Sequence, residues 1–243
     1  MHLLDLLFPK KCVSCKAFGS FLCSNCFAKI SFDVETICVE CNRQAVDGIT
    51  HPGCKKRYSL NGVLSSVKYN GVMKKALYAY KYAPFVKQIE KALIELFYEG
   101  IIQKELFHTL SQKNALLVPI PLHPEKLKSR GYNQAEILAS GLAKKIRVED
   151  PSLSAQDDIS LRVANLLYRQ RRTQSQFRLT REERQKNITD AFGIKTDVVL
   201  TPDMTILLVD DIVTTGSTLS EAAKILKKSG VKEVWGVTLA HGH

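Results

Sequence analysis

Apolar residues along this chain follow two rhythms. Short unbroken runs recur at 116-LLVPIP-121 and at Ile206 to Val209, without alternating polar residues. Such runs predict strands buried on both faces, and the prolines place the first run at a strand end. Helical spacing fills the intervals: Ala135, Leu138, Ala139, Leu142 and Ile146 form one inward face, and Leu219, Ala222, Ala223 and Leu226 another. Earlier, 61-NGVLSSVKYNG-71 reads as a strand ending in a turn, 72-VMKKALYAYKY-82 as an amphipathic helix, and Ile89 to Tyr98 as a second helix. Gly230 is placed to end the 219–226 helix, before a closing strand 231-VKEVWGVTLA-240. Strands alternating with helices predict an α/β fold: a mostly parallel sheet with helices on both faces and a site at the strands' carboxyl ends.

Two polar segments fall at that edge. In 206-ILLVDDIVTTGSTL-219 a buried strand runs into two aspartates, and then into Thr, Gly and Ser opening a helix. A tight turn at a helix start presents backbone N–H groups and small hydroxyls, which suits a phosphate. The adjacent carboxylates would repel that phosphate unless they hold sugar hydroxyls or a metal ion. A sugar phosphate meets both demands. The other segment, 122-LHPEKLKSRGYNQ-134, is a polar, basic loop in the same strand–loop–helix setting.

The cysteines change the picture of the N-terminus. All seven lie within the first 54 residues, as Cys12-x-x-Cys15, Cys23-x-x-Cys26 and Cys38-x-x-Cys41, followed by His51-x-x-Cys54. Eight soft ligands in four pairs suit two structural Zn²⁺ ions, one Cys₄ and one Cys₃His. Disulfides compete for the same spacing, but nothing marks the chain as secreted. Spacing alone leaves sequential and interleaved pairing of the four units both open, and His51 has the alternative of an ordinary surface histidine. Closed coordination would give some 50 residues (1–60 as a module) the stability that a core of that size hardly supplies. The remaining 61–243 form the α/β domain.

Composition sets bounds. No apolar run approaches the ~20 residues that cross a bilayer, so no stable membrane insertion is expected. The opening MHLLDLLFPKKC reads as a short helix packing Leu3, Leu4, Leu7 and Phe8, and the chain is expected to be cytoplasmic. A net charge of +11 favours polyanionic partners. Arginines concentrate between Arg162 and Lys186, among them Arg169, Arg171 and Arg172, and the guanidinium fork suits phosphate oxygens. A solvated basic face explains the same run equally well.

On these residues the chain resembles a known family. The stretch 207-LLVDDIVTTGST-218 resembles the phosphoribosyl pyrophosphate (PRPP) motif of type I phosphoribosyltransferases. That resemblance implies that Asp210 and Asp211 hold the ribose hydroxyls, with Thr214, Thr215, Gly216, Ser217 and Thr218 around the 5′-phosphate. The multi-cysteine N-terminus, 118-VPIPLHPEKLKSRGYNQAEILA-139 and 172-RTQSQFRLTREERQKNITDAF-192 together resemble ComF-type proteins over nearly the whole chain. The resemblance implies a type I phosphoribosyltransferase-like sheet behind a small zinc-binding module. It further implies that 118–134 stands in the pyrophosphate-loop position and the segment around 169–176 in that of the active-site hood. Gly131 would let backbone approach the phosphates, and Arg130 and Arg172 would neutralise them. Mg²⁺ would accompany PRPP.

The resemblance implies a role in natural transformation: binding PRPP or a nucleotide and assisting incoming single-stranded DNA, with Arg169, Arg171 and Arg172 on its phosphates and the ComFA helicase-like ATPase as partner. An active transferase with an unknown acceptor and a PRPP-sensing regulator would use the same pocket. Purine-specific relatives carry a carboxylate base at the position of Thr214; threonine there removes that base without excluding transfer. A Walker loop, the rival phosphate binder, is absent from the sequence.

Overall fold

The computed structural model describes residues 10–82, 89–113, 115–149, 161–172, 180–195 and 199–242. The helix read over Leu3–Phe8 lies outside them, as does the hood segment from residue 173 to 176.

Five parallel strands form the sheet. They are β1 (Val63–Lys68), β2 (Ala115–Pro119), β3 (Arg162–Val163), β6 (Thr205–Val213) and β7 (Glu233–His241), in the order β1-β7-β6-β2-β3. An antiparallel ribbon, β4 (Leu167–Arg169) with β5 (Phe192–Ile194), stands apart from it. Helices α2 (Gly71–Tyr82), α3 (Ile89–Ile102), α4 (Glu105–Ser111), α5 (Pro124–Arg130), α6 (Gln134–Glu149), α7 (Arg181–Ile188) and α8 (Ser217–Lys228) complete the domain, and the N-terminal module holds a single-turn α1 (Ser24–Phe27).

The continuous apolar run in β6 has the expected cause. Ile206, Leu207, Leu208 and Val209 are all fully buried. Leu207 and Val209 join a core with α2, α3 and α6, whereas Ile206 and Leu208 join one with α8 and Phe192. Period-two alternation therefore serves two covered faces. The sheet is doubly covered, as its sequence pattern requires.

Two local expectations need correction. The turn read directly after Val209 begins later, because β6 continues through both aspartates to Val213, paired with β7 as far as Val213↔His241. A nine-residue β7 on that side supplies backbone partners over the whole length. The polar loop read at 122–134 contains α5. Pro124 sits at its first turn, Glu125 follows, Lys128 and Arg130 lie in its last turn, and Gly131 ends it; these signals favour a helix even on a segment that buries no residue. At the end of α8, Gly230 N–H bonds Lys227 O and Val231 N–H bonds Leu226 O, closing the helix as expected.

The N-terminal module reaches both faces of the sheet. Cys12, Cys26 and Ile30 belong to the core with α2 and α3, and Val39 to the core with α8. Between them the chain crosses the carboxyl edge, where Lys68 N–H at the end of β1 donates to Ser31 O at 2.9 Å.

Candidate functional site

At the carboxyl end of β6, Asp211 points inward and is only 5% exposed. A carboxylate so placed needs a counter-charge. Lys81, near the end of α2, supplies it: its Nζ lies 2.6 Å from Asp211 Oδ2. Burial works against the Lys81 ammonium, but Asp211, with Asp210 behind it, holds its pKa above the ordinary lysine range. Asp210 Oδ1 accepts the N–H of Asp211 at 2.8 Å. Burial first, and the neighbouring Asp211 second, push the Asp210 carboxyl up to about 7. Two adjacent acids thus share one site with a single ammonium paired to one of them.

That arrangement costs stability, with a definite sign. A carboxyl whose folded pKa lies above its unfolded value binds its proton more tightly in the native state, so stability falls as pH rises from about 4 towards about 7. Asp210→Asn is therefore expected to raise Tm, with a gain that grows from pH 5 to pH 8. Thermal melts across that range check it; a gain independent of pH would remove the buried-acid reading.

The turn after β6 is built around Gly216, at φ 70° the N-cap of α8. Any side chain there would be strained, and a Cβ would also stand 3.1 Å from the Val39 side chain. Thr215 Oγ1 and Ser217 Oγ lie 2.9 Å apart, so the hydroxyls converge beside first-turn N–H groups that have no intrahelical acceptor. Thr214 lines a small cavity with Val39 and His241. Thr218 lies in the first turn of α8.

Opposite the acids stands a group of cations. Lys126 of α5 lies within electrostatic reach of Arg169, Arg130, Arg172 and Lys81, and burial together with these neighbours lowers its pKa. Burial likewise lowers the pKa of Arg169, against the attraction of Asp210. The Arg169 guanidinium lies 5.3 Å over the Phe192 ring, and that of Arg130 5.4 Å over Tyr82. Arg172 Nη1 pairs with Glu125 Oε2 at 2.8 Å, tying the segment after β4 to α5 through an exposed ion pair. Gly131 is required by its φ of 82°, and the space over its Cα is open. Arg171 faces elsewhere: its guanidinium donates to Asn187 O at 2.9 Å and Thr189 O at 2.7 Å, holding the end of α7.

Of the residues named from the sequence, Asp210, Asp211, Arg130, Arg169 and Arg172 thus converge about the end of β6, while Arg171 holds α7. Sequence reading missed Lys81, Lys126 and Val39. A lysine on an amphipathic helix carries no signal of its partner, and the apolar residue between two metal-ligand cysteines carries none of its contact.

The cysteine units sort into two clusters, Cys12/Cys15/Cys23/Cys26 and Cys38/Cys41/His51/Cys54, each with its ligand atoms within 4.8 Å of one another. Pairing is sequential. Cys15 and Cys23 Sγ are 3.6 Å apart, too far for the ~2.05 Å of a disulfide. The separation is near the ~3.8 Å edge of a tetrahedron with Zn–S bonds of ~2.3 Å. His51 turns Nδ1 towards Cys41 Sγ at 3.4 Å, while Nε2–H donates to Gln44 O at 3.0 Å, the outer bond that fixes a ligating imidazole. Both donor sets fit structural Zn²⁺.

Fold and site define a two-part class of protein, a pair of zinc ribbons in front of a phosphoribosyltransferase-type domain. Residues 88–243 match the phosphoribosyl transferase domain family, and residues 3–56 the double zinc ribbon domain family. Among curated relatives, Competence protein F of Haemophilus influenzae is 33% identical over 154 residues, covering 63% of this chain and 62% of that protein, so the chain spans less than two thirds of that relative's length. The DNA utilization protein YhgH of Escherichia coli is 25% identical over 95% of this chain and 97% of its own. Competence protein ComFC of Streptococcus pneumoniae is 26% identical over 89% and 79%. The chain belongs to the phosphoribosyl transferase domain family, as a ComF-type member with an N-terminal double zinc ribbon.

Proposed function

We propose that the cleft binds PRPP, or a nucleotide with the same ribose 5′-phosphate, and that the protein assists single-stranded DNA during natural transformation. The observation that carries the ligand is the pairing of opposite demands at one edge. Asp210 and Asp211 offer acceptors for ribose hydroxyls, the Thr214–Thr218 turn offers donors for the 5′-phosphate, and the cationic group of Lys126, Arg130, Arg169 and Arg172 would suit a pyrophosphate. Mg²⁺, bound with PRPP, would neutralise pyrophosphate oxygens beside these cations. The names of the relatives, competence and DNA utilization proteins, support the DNA half. In that setting a ComFA-type helicase-like ATPase is the expected partner. A position in the cytoplasm follows the same reading; among the described residues no helix is long and apolar enough to cross a membrane.

Binding of the ribose 5′-phosphate is what these groups support directly, and an active transferase would use the same pocket. Thr214 supplies no carboxylate to act as a base, while Glu35 of the zinc module and His241 of β7 line the same small cavity. Transfer of phosphoribose to an acceptor would show as PRPP-dependent pyrophosphate release.

Arg169→Ala with Arg172→Ala tests the reading on two ligands at once; Arg171 is left in place because it holds α7. PRPP affinity is expected to fall, and the slope of log K against log salt for single-stranded DNA to flatten by about 0.7 per lost phosphate contact. The change should be nearly independent of base sequence. Unchanged PRPP affinity together with an unchanged salt slope would make both arginines ordinary surface.

A further inference from the structure

Helix α2 is amphipathic, but its outer face is not simply polar. Val72, Met73, Ala76, Leu77 and Tyr80 are buried, while Tyr78 and Tyr82 remain 67% and 61% exposed. Their rings stand 4.9 Å apart, one helical turn from each other. Facing them is the first zinc ribbon, and between the two runs an open groove of about 750 Å³ lined by Lys11, Lys16, Phe21, Lys74, Lys75, Tyr78 and Tyr82, among others. Lys11 Nζ lies 5.0 Å over the exposed Phe18 ring. Lys75 bridges the walls by donating to Ser14 O at 3.2 Å.

The chemistry of this groove is one-sided. Its lining holds four lysines and no carboxylate. Among the described residues none of the four lysines forms an ion pair with an acid, although the chain forms such pairs at Lys68, Lys113 and Lys145. Ammonium groups beside exposed, tilted aromatic rings suit a ligand that alternates phosphates with flat bases: cations follow its backbone and rings accept its stacked bases. A duplex keeps its bases stacked inside and cannot use the rings. The groove also leads to the cleft. Tyr82 at its end carries the Arg130 guanidinium over its ring, and Lys81, the next residue back, reaches Asp211.

We propose that this groove between the first zinc ribbon and α2 is a binding track for single-stranded nucleic acid that ends at the sugar-phosphate cleft. The proposal rests on the DNA half of the function proposed above and gives it a place, on residues separate from Arg169 and Arg172. The ribbon thereby acts as one wall of a binding site as well as a structural element.

The test uses the full chain, a labelled oligo(dT) and two variants outside the cleft. Tyr78→Ala removes a stacking ring; Lys16→Gln with Lys74→Gln removes two cations that make no contact across the groove. Tyr78→Ala is expected to weaken oligo(dT) binding by roughly tenfold, and the lysine pair to flatten its salt slope by about 1.4. Zinc content and PRPP affinity should stay at wild-type values in both. Wild-type affinity for oligo(dT) in both variants would overturn the groove while leaving DNA handling standing. No oligo(dT) binding by the wild type would remove both together. Duplex DNA or phosphatidylserine vesicles bound as tightly as oligo(dT), with no effect of Tyr78→Ala, would reduce the groove to an unselective basic surface and also overturn it.

Discussion

Cys41→Ser should leave the chain with one zinc ion instead of two, lower its thermal stability, and weaken PRPP binding as well. Metal binding in a module this small is folding free energy, on the order of 10 kcal/mol or more in isolated zinc fingers. Cys41 shares its cluster with Cys38, His51 and Cys54. Val39 stands between the first two of these ligands and packs against Gly216, where the phosphate turn meets α8. Freed from the cluster, Val39 no longer holds that turn from behind. Cys15→Ser makes the contrast. Its cluster packs through Cys12 and Cys26 into the core with α2 and α3, so it should also lose one ion and stability, but disturb the phosphate turn less. Elemental analysis, melting and PRPP titration on the two variants separate these effects. Freshly purified reduced protein without zinc would end the metal assignment; equal PRPP loss in both variants would end the link through Val39.

Asp210→Asn with Asp211→Asn is expected to weaken PRPP binding by about a hundredfold or more, since hydrogen bonds to charged groups contribute roughly 1.5–3 kcal/mol each. The amides keep the shape of the site but accept ribose hydroxyls without charge assistance. The double variant also leaves the half-buried Lys81 ammonium without its carboxylate, which costs stability and draws anions towards the site. Inorganic phosphate should accordingly bind as well as before, because the Thr214–Thr218 turn holds it. This retention shows that the site is still folded. Equal PRPP affinity in wild type and double variant would remove the aspartates from the ribose.

How far the sequence could be read depended on the range of each signal. Residues 206–209 declare a buried strand because burial on two faces removes all polar residues from a contiguous run. The metal-ligand units are legible because each Cys-x-x-Cys is local, whereas their pairing is set by chain path and emerges only in the fold. Helix α5 was hidden in a basic stretch: it buries no residue, so it has no periodic stripe, and only its terminal residues mark it. The aspartates were legible but their strand was read too short, because β7, a partner from the far end of the chain, pairs with β6 past both of them. Tyr78 and Tyr82 share a helix with buried Tyr80, and only the structure tells which rings face outward.

The most direct measurement is a crystal structure of the protein soaked with PRPP and Mg²⁺. The expected complex has the 5′-phosphate on the N–H groups and hydroxyls of Thr215, Ser217 and Thr218, the ribose hydroxyls on Asp210 and Asp211, and the pyrophosphate towards Arg130 and Lys126. Phosphate bound away from the 214–218 turn, or a ribose that leaves both aspartates without a partner, would contradict the assignment of this cleft.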